Sequence, residues 1–158
     1  MQGLADGYFV LPYTVSNYLA DEIRTGKIST ESQEFVDAEN RVKETINQFL
    51  NNKGSKSVDH FHKRLGLIMW NKVGMARNEA GLKEAISEIS ALKQEFYKEV
   101  SVPGSADELN PELEKALRVA DFIDLGQLMA MDALQRNESC GGHFREEYKD
   151  SEGGNASR

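Results

Sequence analysis

Apolar residues recur at intervals of three and four along most of the chain after residue 57. The clearest stripe is formed by Leu82, Ala85, Ile86, Ile89, Leu92 and Phe96; one stripe before it contains Phe61, Leu65, Ile68 and Met69, and one after it contains Leu113, Leu117, Ala120, Ile123, Leu128, Met131 and Leu134. This spacing puts apolar side chains on one face of an α-helix. The pattern therefore predicts three amphipathic helices between Val58 and Arg136.

Residues typical of turns mark the breaks between these helices. The first helix is expected to stop at Gly74, and the second to end before Val102–Ser105, which contains proline and glycine. Asn110 followed by Pro111 indicates a helix start, since asparagine caps the first turn and proline needs no amide partner there. No alternating strand pattern competes. The predicted fold class is all-α: an antiparallel three-helix bundle, spectrin-repeat-like, with an additional N-terminal helical segment.

The first 55 residues predict two further helical stretches. Leu4 to Ala20 has the composition of a moderately apolar helix, with a step at Pro12 because proline removes a backbone donor. A second helix is expected to begin near Ser29 and to end around Asn51–Gly54. The residues after Tyr148 contain no apolar anchor, so we expect the tail to be poorly ordered.

Composition narrows the class of protein. The 158 residues include 19 Lys plus Arg and 26 Asp plus Glu, and the net charge of −7 argues against a nucleic-acid phosphate-binding surface. A single cysteine permits no internal disulfide, which suits a reducing compartment. The longest apolar runs, Tyr8 to Pro12 and Gly66 to Trp70, are far shorter than the ~20 residues of a membrane-spanning helix. We therefore expect any membrane association to require a partner.

The segment RNESCGGHFREEY, residues 136–148, concentrates the reactive side chains. Cys140 and His143 have a C-x-x-H spacing that Glu146 or Glu147 could extend, but a closed zinc site needs four ligands and there is no second cysteine. A Cys–His nucleophile pair would also need an orienting residue and an oxyanion site. The favoured interpretation is a helix-terminating turn at the two glycines, surrounded by a hydrogen-bond network.

Elsewhere the sequence predicts no catalytic, cofactor-binding or metal-binding residue. His60 and His62 flank Phe61, and on a helix two such side chains diverge by about 200 degrees, which disfavours a shared metal. Neither a G-x-G-x-x-G pattern nor a P-loop occurs, so no glycine-rich loop approaches a dinucleotide or nucleotide phosphate. The chain itself is expected to hold no cofactor.

Four pieces of the sequence carry a family resemblance: GLADGYFVLPYTVSNYLADEI, MWNKVGMARNEAGLKEA, ELNPELEKALRVADFIDLGQLMAMDAL and RNESCGGHFREEY. In that order they resemble the C-terminal part of the flavoprotein subunit of succinate dehydrogenase or fumarate reductase, of the type found in Bacteroidetes. The last motif in this family usually reads E-S-R-G-x-H-x-R-x-D/E. Its positions are matched here by Glu138, Ser139, Gly141, His143, Arg145 and Glu147, while Cys140 replaces the usual arginine.

The resemblance implies a fragment, truncated at both ends and inactive by itself. Intact relatives bind FAD in an N-terminal domain, bind the dicarboxylate between that domain and a capping domain, and interconvert succinate and fumarate. Both domains would precede Met1. The implied partners are these missing domains, an iron-sulfur subunit and a membrane cytochrome b subunit, with the complex cytoplasmic and peripheral on the inner face of the plasma membrane.

The same resemblance implies a division of the chain and roles for four residues. Residues 1–27 would be the helical end of the FAD-binding domain, 28–55 a connecting helix, 56–137 the three-helix bundle, and 138–158 a terminating motif with a flexible tail. Arg77, Glu138, His143 and Arg145 are expected to be structural or domain-interface residues, and His143 to make a buried interfacial hydrogen bond. The alternatives are a free-standing helical protein-interaction module and, with a poorer fit, an L-aspartate oxidase.

Overall fold

The computed structural model describes residues 1–149, most of which are helical. The chain divides into two compact units, Met1–Asn40 and the part that begins at Arg41, and the boundary falls within helix α3, Gln33–Asn51. The tail whose order was predicted from composition lies, apart from Lys149, outside the described residues. None of the helices in the described part is both long and apolar enough to cross a bilayer.

In the first unit, a short helical stretch is built around a proline. It consists of α1, Gln2–Ala5, a π-helical turn at Asp6–Val10, α2, Leu11–Tyr13, and a second π-helical turn at Thr14–Tyr18; a 3-10 turn follows at Glu22–Arg24. Pro12 has no amide proton to give to the carbonyl four residues earlier, and wider hydrogen-bonded turns lie on either side of it. No residue of this unit is buried within the unit.

The second unit contains the predicted bundle, formed by three helices: α4, Val58–Lys72; α5, Glu79–Glu99; and α6, Pro111–Gln135. Within residues 1–149, four two-residue strands flank them: β1, Lys56–Ser57; β2, Ala76–Arg77; β3, Val100–Ser101; and β4, Phe144–Arg145. β1 pairs in parallel with β3, and β2 pairs in parallel with β4. The first pairing brings the start of α4 to the end of α5, and the second brings the start of α5 to the end of α6. The bundle is therefore antiparallel, and the predicted fold class is confirmed.

Side chains from successive helices meet in an aromatic core. The Phe96 ring lies edge-on to Phe61, with centroids 5.2 Å apart, and edge-on to Phe49, with centroids 5.5 Å apart, while Phe49 stacks on Tyr97 at 5.7 Å. All three phenylalanines are fully buried. Aromatic pairs of this geometry contribute roughly 0.5–1.5 kcal/mol beyond their burial. Phe49 thereby joins the end of α3 to the bundle.

The other end of the bundle is packed with small side chains. A second buried cluster contains Val73, Leu82, Ala85, Ala130 and Ala133. Three of these five are alanines, so α5 and α6 approach closely where α6 ends. The last carbonyl groups of α6 have no partner within their own helix, and that end carries the site described below.

The helix starts follow the capping rules in most cases. The side chains of Ser57, Asn78 and Asn110 accept hydrogen bonds from backbone amides at the starts of α4, α5 and α6, at 3.3, 2.8 and 3.0 Å. The predicted start of α6 at Asn110 and Pro111 is correct. The start of α3 is not: Ser29 binds the amide of Glu31 in a local turn, and the helix begins at Gln33.

Candidate functional site

Residues 138–148, which we call the clasp, fold back on the bundle as a small hairpin. The backbones of Cys140 and His143 exchange two hydrogen bonds, of 2.9 and 3.1 Å. Gly141 lies between them with φ +61, a left-handed conformation that glycine adopts without a Cβ penalty. The two glycines were predicted to end a helix, but α6 has already ended at Gln135 and they form the hairpin tip instead.

Arg145 fastens the clasp to the C-terminal end of α6. Its side chain is 1% exposed, and its Nη1 donates to the carbonyls of Ala133, Leu134 and Arg136 at 2.9, 3.1 and 3.2 Å. The last turn of α6 contains no basic residue of its own. A cation at a helix C-terminus satisfies its unpaired carbonyls and opposes the negative end of the helix dipole. Arg145 supplies this cap from ten residues beyond the helix.

Glu147 connects the same arginine to the start of α5. One carboxylate oxygen accepts from Arg145 Nε at 3.1 Å, and the other accepts from the backbone amide of Glu79 at 2.6 Å. Desolvation tends to raise the pKa of Glu147, but the hydrogen bonds, with that from the Glu79 amide foremost, outweigh it and leave the pKa below its ordinary value. The guanidinium carbon of Arg145 also lies 5.2 Å from the centroid of the Tyr148 ring. The clasp thus joins the end of α6 to the start of α5.

His143 and Arg77 form the second attachment. Arg77 Nη1 lies 2.8 Å from His143 Nδ1, and Arg77 Nε donates to the Gly74 carbonyl at 2.9 Å. The backbone amide of Glu146 donates to the Arg77 carbonyl at 2.8 Å and continues the β2–β4 ladder. Desolvation, and then the nearby charges of Arg136 and Arg77, lower the pKa of His143 below its ordinary value. Desolvation likewise lowers the pKa of Arg77.

Three of the four residues singled out in the sequence therefore meet at the clasp. His143 and Arg145 belong to the clasp and Arg77 contacts it from β2, while Glu138, at the start of the clasp, pairs with Arg136, whose Nε and Nη2 are 3.1 and 2.9 Å from Glu138 Oε1. Glu147 and Ser139 also contribute, and neither was predicted as a site residue although both match positions of the family motif. The buried Ser139 hydroxyl accepts from the Arg145 amide at 2.9 Å and donates to its carbonyl at 3.1 Å.

The hydrogen bonds of this arrangement hold backbone groups of α5, α6 and the clasp. Cys140 is exposed, and the bonds that join it to His143 are made by the two backbones. The described part of the chain contains no group of three or more His, Cys, Asp and Glu residues placed to hold a metal. His60 packs edge-on to Phe61 at 5.3 Å, and His62 lies 6.0 Å from the ring of Phe122 on α6. Hydrogen bonds and an ion pair between Arg145 and Glu147 hold the clasp in place.

One known protein family matches a region that contains most of the bundle and the whole clasp. Residues 62–157 match the family described as "Fumarate reductase flavoprotein C-term". The chain belongs to this family. The C-terminal flavoprotein region inferred from the sequence motifs is therefore confirmed.

The relatives of this flavoprotein C-terminal domain are much longer chains. An uncharacterized FAD-dependent oxidoreductase of Methanocaldococcus jannaschii is 31% identical over 144 residues, which are 85% of this chain and 26% of the relative. The fumarate reductase flavoprotein subunit of Helicobacter pylori is 29% identical over 137 residues, 85% of this chain and 19% of the relative. The chain thus spans about a fifth to a quarter of these relatives.

A solved structure has the same fold. The Mycobacterium smegmatis Sdh1 complex in its apo form contains a chain that matches 82% of this one, with a TM-score of 0.70 and 28% identity. The match covers 21% of that chain. The C-terminal domain described here therefore corresponds to one part of a larger subunit that has been solved within a complex.

Proposed function

We propose that this chain is the helical scaffold at the C-terminal end of a succinate dehydrogenase or fumarate reductase flavoprotein subunit. The intact subunit would interconvert succinate and fumarate with FAD. This chain would support the FAD-binding and capping domains and would itself contribute no catalytic group. The observation that supports the proposal is that polar side chains of the clasp bind backbone groups of the domain itself. Backbone groups of α6, α5 and the clasp form hydrogen bonds with the side chains of Arg145, Glu147 and Ser139, respectively.

Exposed apolar surface supports a role within a larger subunit. Within the first unit, large apolar side chains that include Tyr8, Phe9 and Tyr18 are exposed. On the bundle, an open apolar groove runs between α4 and α6, lined by Leu65, Met69, Phe122, Leu125 and Met129 among others. Contiguous apolar patches on soluble proteins mark contact surfaces. The FAD-binding and capping domains of the same subunit are the partners that we assign to these surfaces.

The finer assignments follow from the family. Residues 1–27 would end the FAD-binding domain, and Arg77, Glu138, His143 and Arg145 would shape the surface on which neighbouring domains rest. An iron-sulfur subunit and a membrane cytochrome b subunit would complete the complex on the cytoplasmic face of the membrane. FAD would be held by residues outside this chain.

A chimeric subunit tests the scaffold role. The corresponding C-terminal part of the Helicobacter pylori fumarate reductase flavoprotein subunit is replaced with this chain, and bound flavin and fumarate reduction by a reduced viologen dye are measured. We expect the chimera to retain flavin and activity. A chimera that is folded by circular dichroism yet binds no flavin would refute the scaffold role.

Two matched substitutions then test the groove. Phe122→Asp places a charge in the α4–α6 groove and should lower the flavin content of the chimera. Leu109→Asp changes a side chain that is 94% exposed and lies before α6, and it should leave the flavin content unchanged. Equal effects of the two changes would count against the groove as the contact surface.

The isolated chain gives a complementary test. After incubation with excess FAD and desalting, we expect no flavin absorbance, since the proposal places the cofactor site in the preceding domain. Stoichiometric retention of flavin would overturn that placement. A free-standing interaction module, the alternative function, would leave the chimera without flavin while the isolated chain remained folded and monomeric.

A further inference from the structure

The contact between His143 and Arg77 fixes the protonation state of the imidazole. Every nitrogen of a guanidinium is a donor or lacks a free lone pair, so Nδ1 of His143 must accept the 2.8 Å hydrogen bond from Arg77 Nη1. The single proton of the neutral ring then lies on Nε2. That atom is enclosed and has no hydrogen-bond partner among the residues that the structure describes. The clasp is therefore docked through a neutral histidine of defined tautomer.

The groups that face this ring make a second proton costly. Arg77 on β2, Arg136 just beyond α6, and Arg145 on β4 all disfavour the charged imidazole. Three acids lie near these arginines: Asp132 raises the pKa of Arg77, Glu138 pairs with Arg136, and Glu147 pairs with Arg145. The backbone of Arg136 favours the charged form, but it does not reverse the effect of burial, because the pKa of His143 stays lowered.

Protonation would also abolish the contact that holds the ring. With a proton on Nδ1, the Arg77 Nη1–H and the imidazolium N–H would be two donors facing one another at hydrogen-bond distance. Two like charges would then share a site in which His143 is only 4% exposed. Separation of the imidazole from Arg77 relieves both penalties and removes one of the attachments of the hairpin to β2.

We propose that His143 is a proton-controlled latch, which keeps the clasp docked on β2 while its imidazole is neutral and loosens the clasp when the ring is protonated. The docked state binds fewer protons than the undocked state, so docking should be strongest above the ordinary histidine pKa of 6.5. It should weaken as the pH falls below that value toward the lower pKa of the docked ring. The latch is a property of the isolated domain and does not depend on the proposed function.

Hydrogen exchange of single amides in the full chain tests the latch. The reporter is the Glu146 amide, which bonds across to the Arg77 carbonyl on β2, and the internal control is the Cys140 amide, which bonds within the hairpin. Between about pH 7.5 and about pH 5.5, after correction for intrinsic exchange, we expect Glu146 to lose about tenfold in protection, equivalent to ~1.4 kcal/mol. Protection of Ile89 in the middle of α5 should not change. Equal protection of Glu146 at both pH values would overturn the proposal.

Two variants separate the latch from general acid sensitivity. His143→Gln keeps a neutral acceptor for Arg77 but has no titratable ring, so Glu146 protection should become independent of pH over this range. In His60→Gln, which alters an exposed histidine on α4, the pH dependence should persist. A pH response that survives in His143→Gln would place the switch elsewhere.

The tautomer provides a test that needs no variant. Nitrogen-15 shifts of the His143 ring at about pH 7.5 should show an unprotonated Nδ1 and a protonated Nε2. The opposite tautomer, or a doubly protonated ring at that pH, would contradict the geometry on which the latch rests. Either result can be obtained even if His143→Gln fails to fold.

Discussion

Removing the Arg145 side chain should cost this small domain a large part of its stability. The guanidinium is 1% exposed and reaches three backbone carbonyls at the end of α6 through Nη1 and Glu147 through Nε. Arg145→Ala would remove the donor from all three carbonyls, of which the bond to Ala133 is buried and the bonds to Leu134 and Arg136 are partly buried. A buried acceptor that loses its donor carries the full cost of its desolvation.

The magnitude follows from the number of bonds. Nη1 carries two protons, so it fully satisfies two of its three acceptors at a time, and hydrogen bonds to charged groups contribute roughly 1.5–3 kcal/mol each. Removal also relieves the cost of burying a guanidinium, which offsets part of this sum. We expect Arg145→Ala to lower the free energy of unfolding by about 3 kcal/mol. Arg145→Lys restores the charge without the planar fork and should still cost about 2 kcal/mol.

Urea unfolding followed by far-ultraviolet circular dichroism provides the measurement, with Arg118→Ala as the matched control. Arg118 lies on α6, the helix that Arg145 caps, and it pairs with Glu114; both side chains are more than half exposed. An exposed pair of this kind contributes roughly 0.3–0.5 kcal/mol. If Arg145→Ala and Arg118→Ala shift the unfolding midpoint equally, the C-terminal cap assigned to Arg145 is wrong.

Three further perturbations test other parts of the bundle by the same unfolding assay. Gly54→Ala would place a Cβ 2.0 Å from the Glu99 carbonyl oxygen and should destabilise by ~2 kcal/mol or more. Gly66→Ala adds a Cβ at a helix position with nothing within 4 Å, so it should be neutral or stabilising by up to ~1 kcal/mol. If Gly66→Ala destabilised the domain more than Gly54→Ala, the close backbone approach at Gly54 would be refuted. Lys56 and Arg64 hold the pKa of Glu95 down at about 2, so the stabilisation from Glu95 is present above its ordinary pKa of 4.5 and is lost as the pH falls toward about 2. Glu95→Gln should abolish that pH dependence; an unchanged acid profile would contradict it.

The helices of the bundle were predictable because their signal is local and repeated. The stripe from Leu82 to Phe96 gives five buried residues in α5, and the asparagine–proline pair before α6 marks its start. The four strands were not predictable. Each contains two residues, too few for alternation to be visible, and each pairs with a partner more than 40 residues away.

The start of α3 was misplaced for a related reason. Ser29 and Thr30 have the composition of a helix cap, and Ser29 does bind a backbone amide two residues later. Serine forms such local turns as readily as it caps a helix. Composition alone does not distinguish a serine that forms a local turn from one that caps a helix. The helix itself was predicted, and only its start is displaced, from Ser29 to Gln33.

The polar motif shows most clearly what sequence spacing leaves out. Cys140 and His143, read as a C-x-x-H pair, indicate metal or nucleophile chemistry, whereas the fold joins them through their backbones. Arg145 caps the terminal carbonyls of α6, a helix that has no basic residue in its own last turn. That cap joins two segments that meet only in the folded chain.

The concentration of charge in the clasp is therefore a consequence of how the bundle ends. An α-helix leaves unpaired carbonyls at its C-terminus and unpaired amides at its N-terminus, and the antiparallel arrangement brings the end of α6 beside the start of α5. One cation and one anion, linked to each other, satisfy both ends: Arg145 takes the carbonyls, and Glu147 takes the amide of Glu79. A neutral residue at either position would leave one helix end unsatisfied and the other charge without its partner. The arginine and glutamate of the motif thus act as a unit, and a double-mutant cycle between them should show strong coupling.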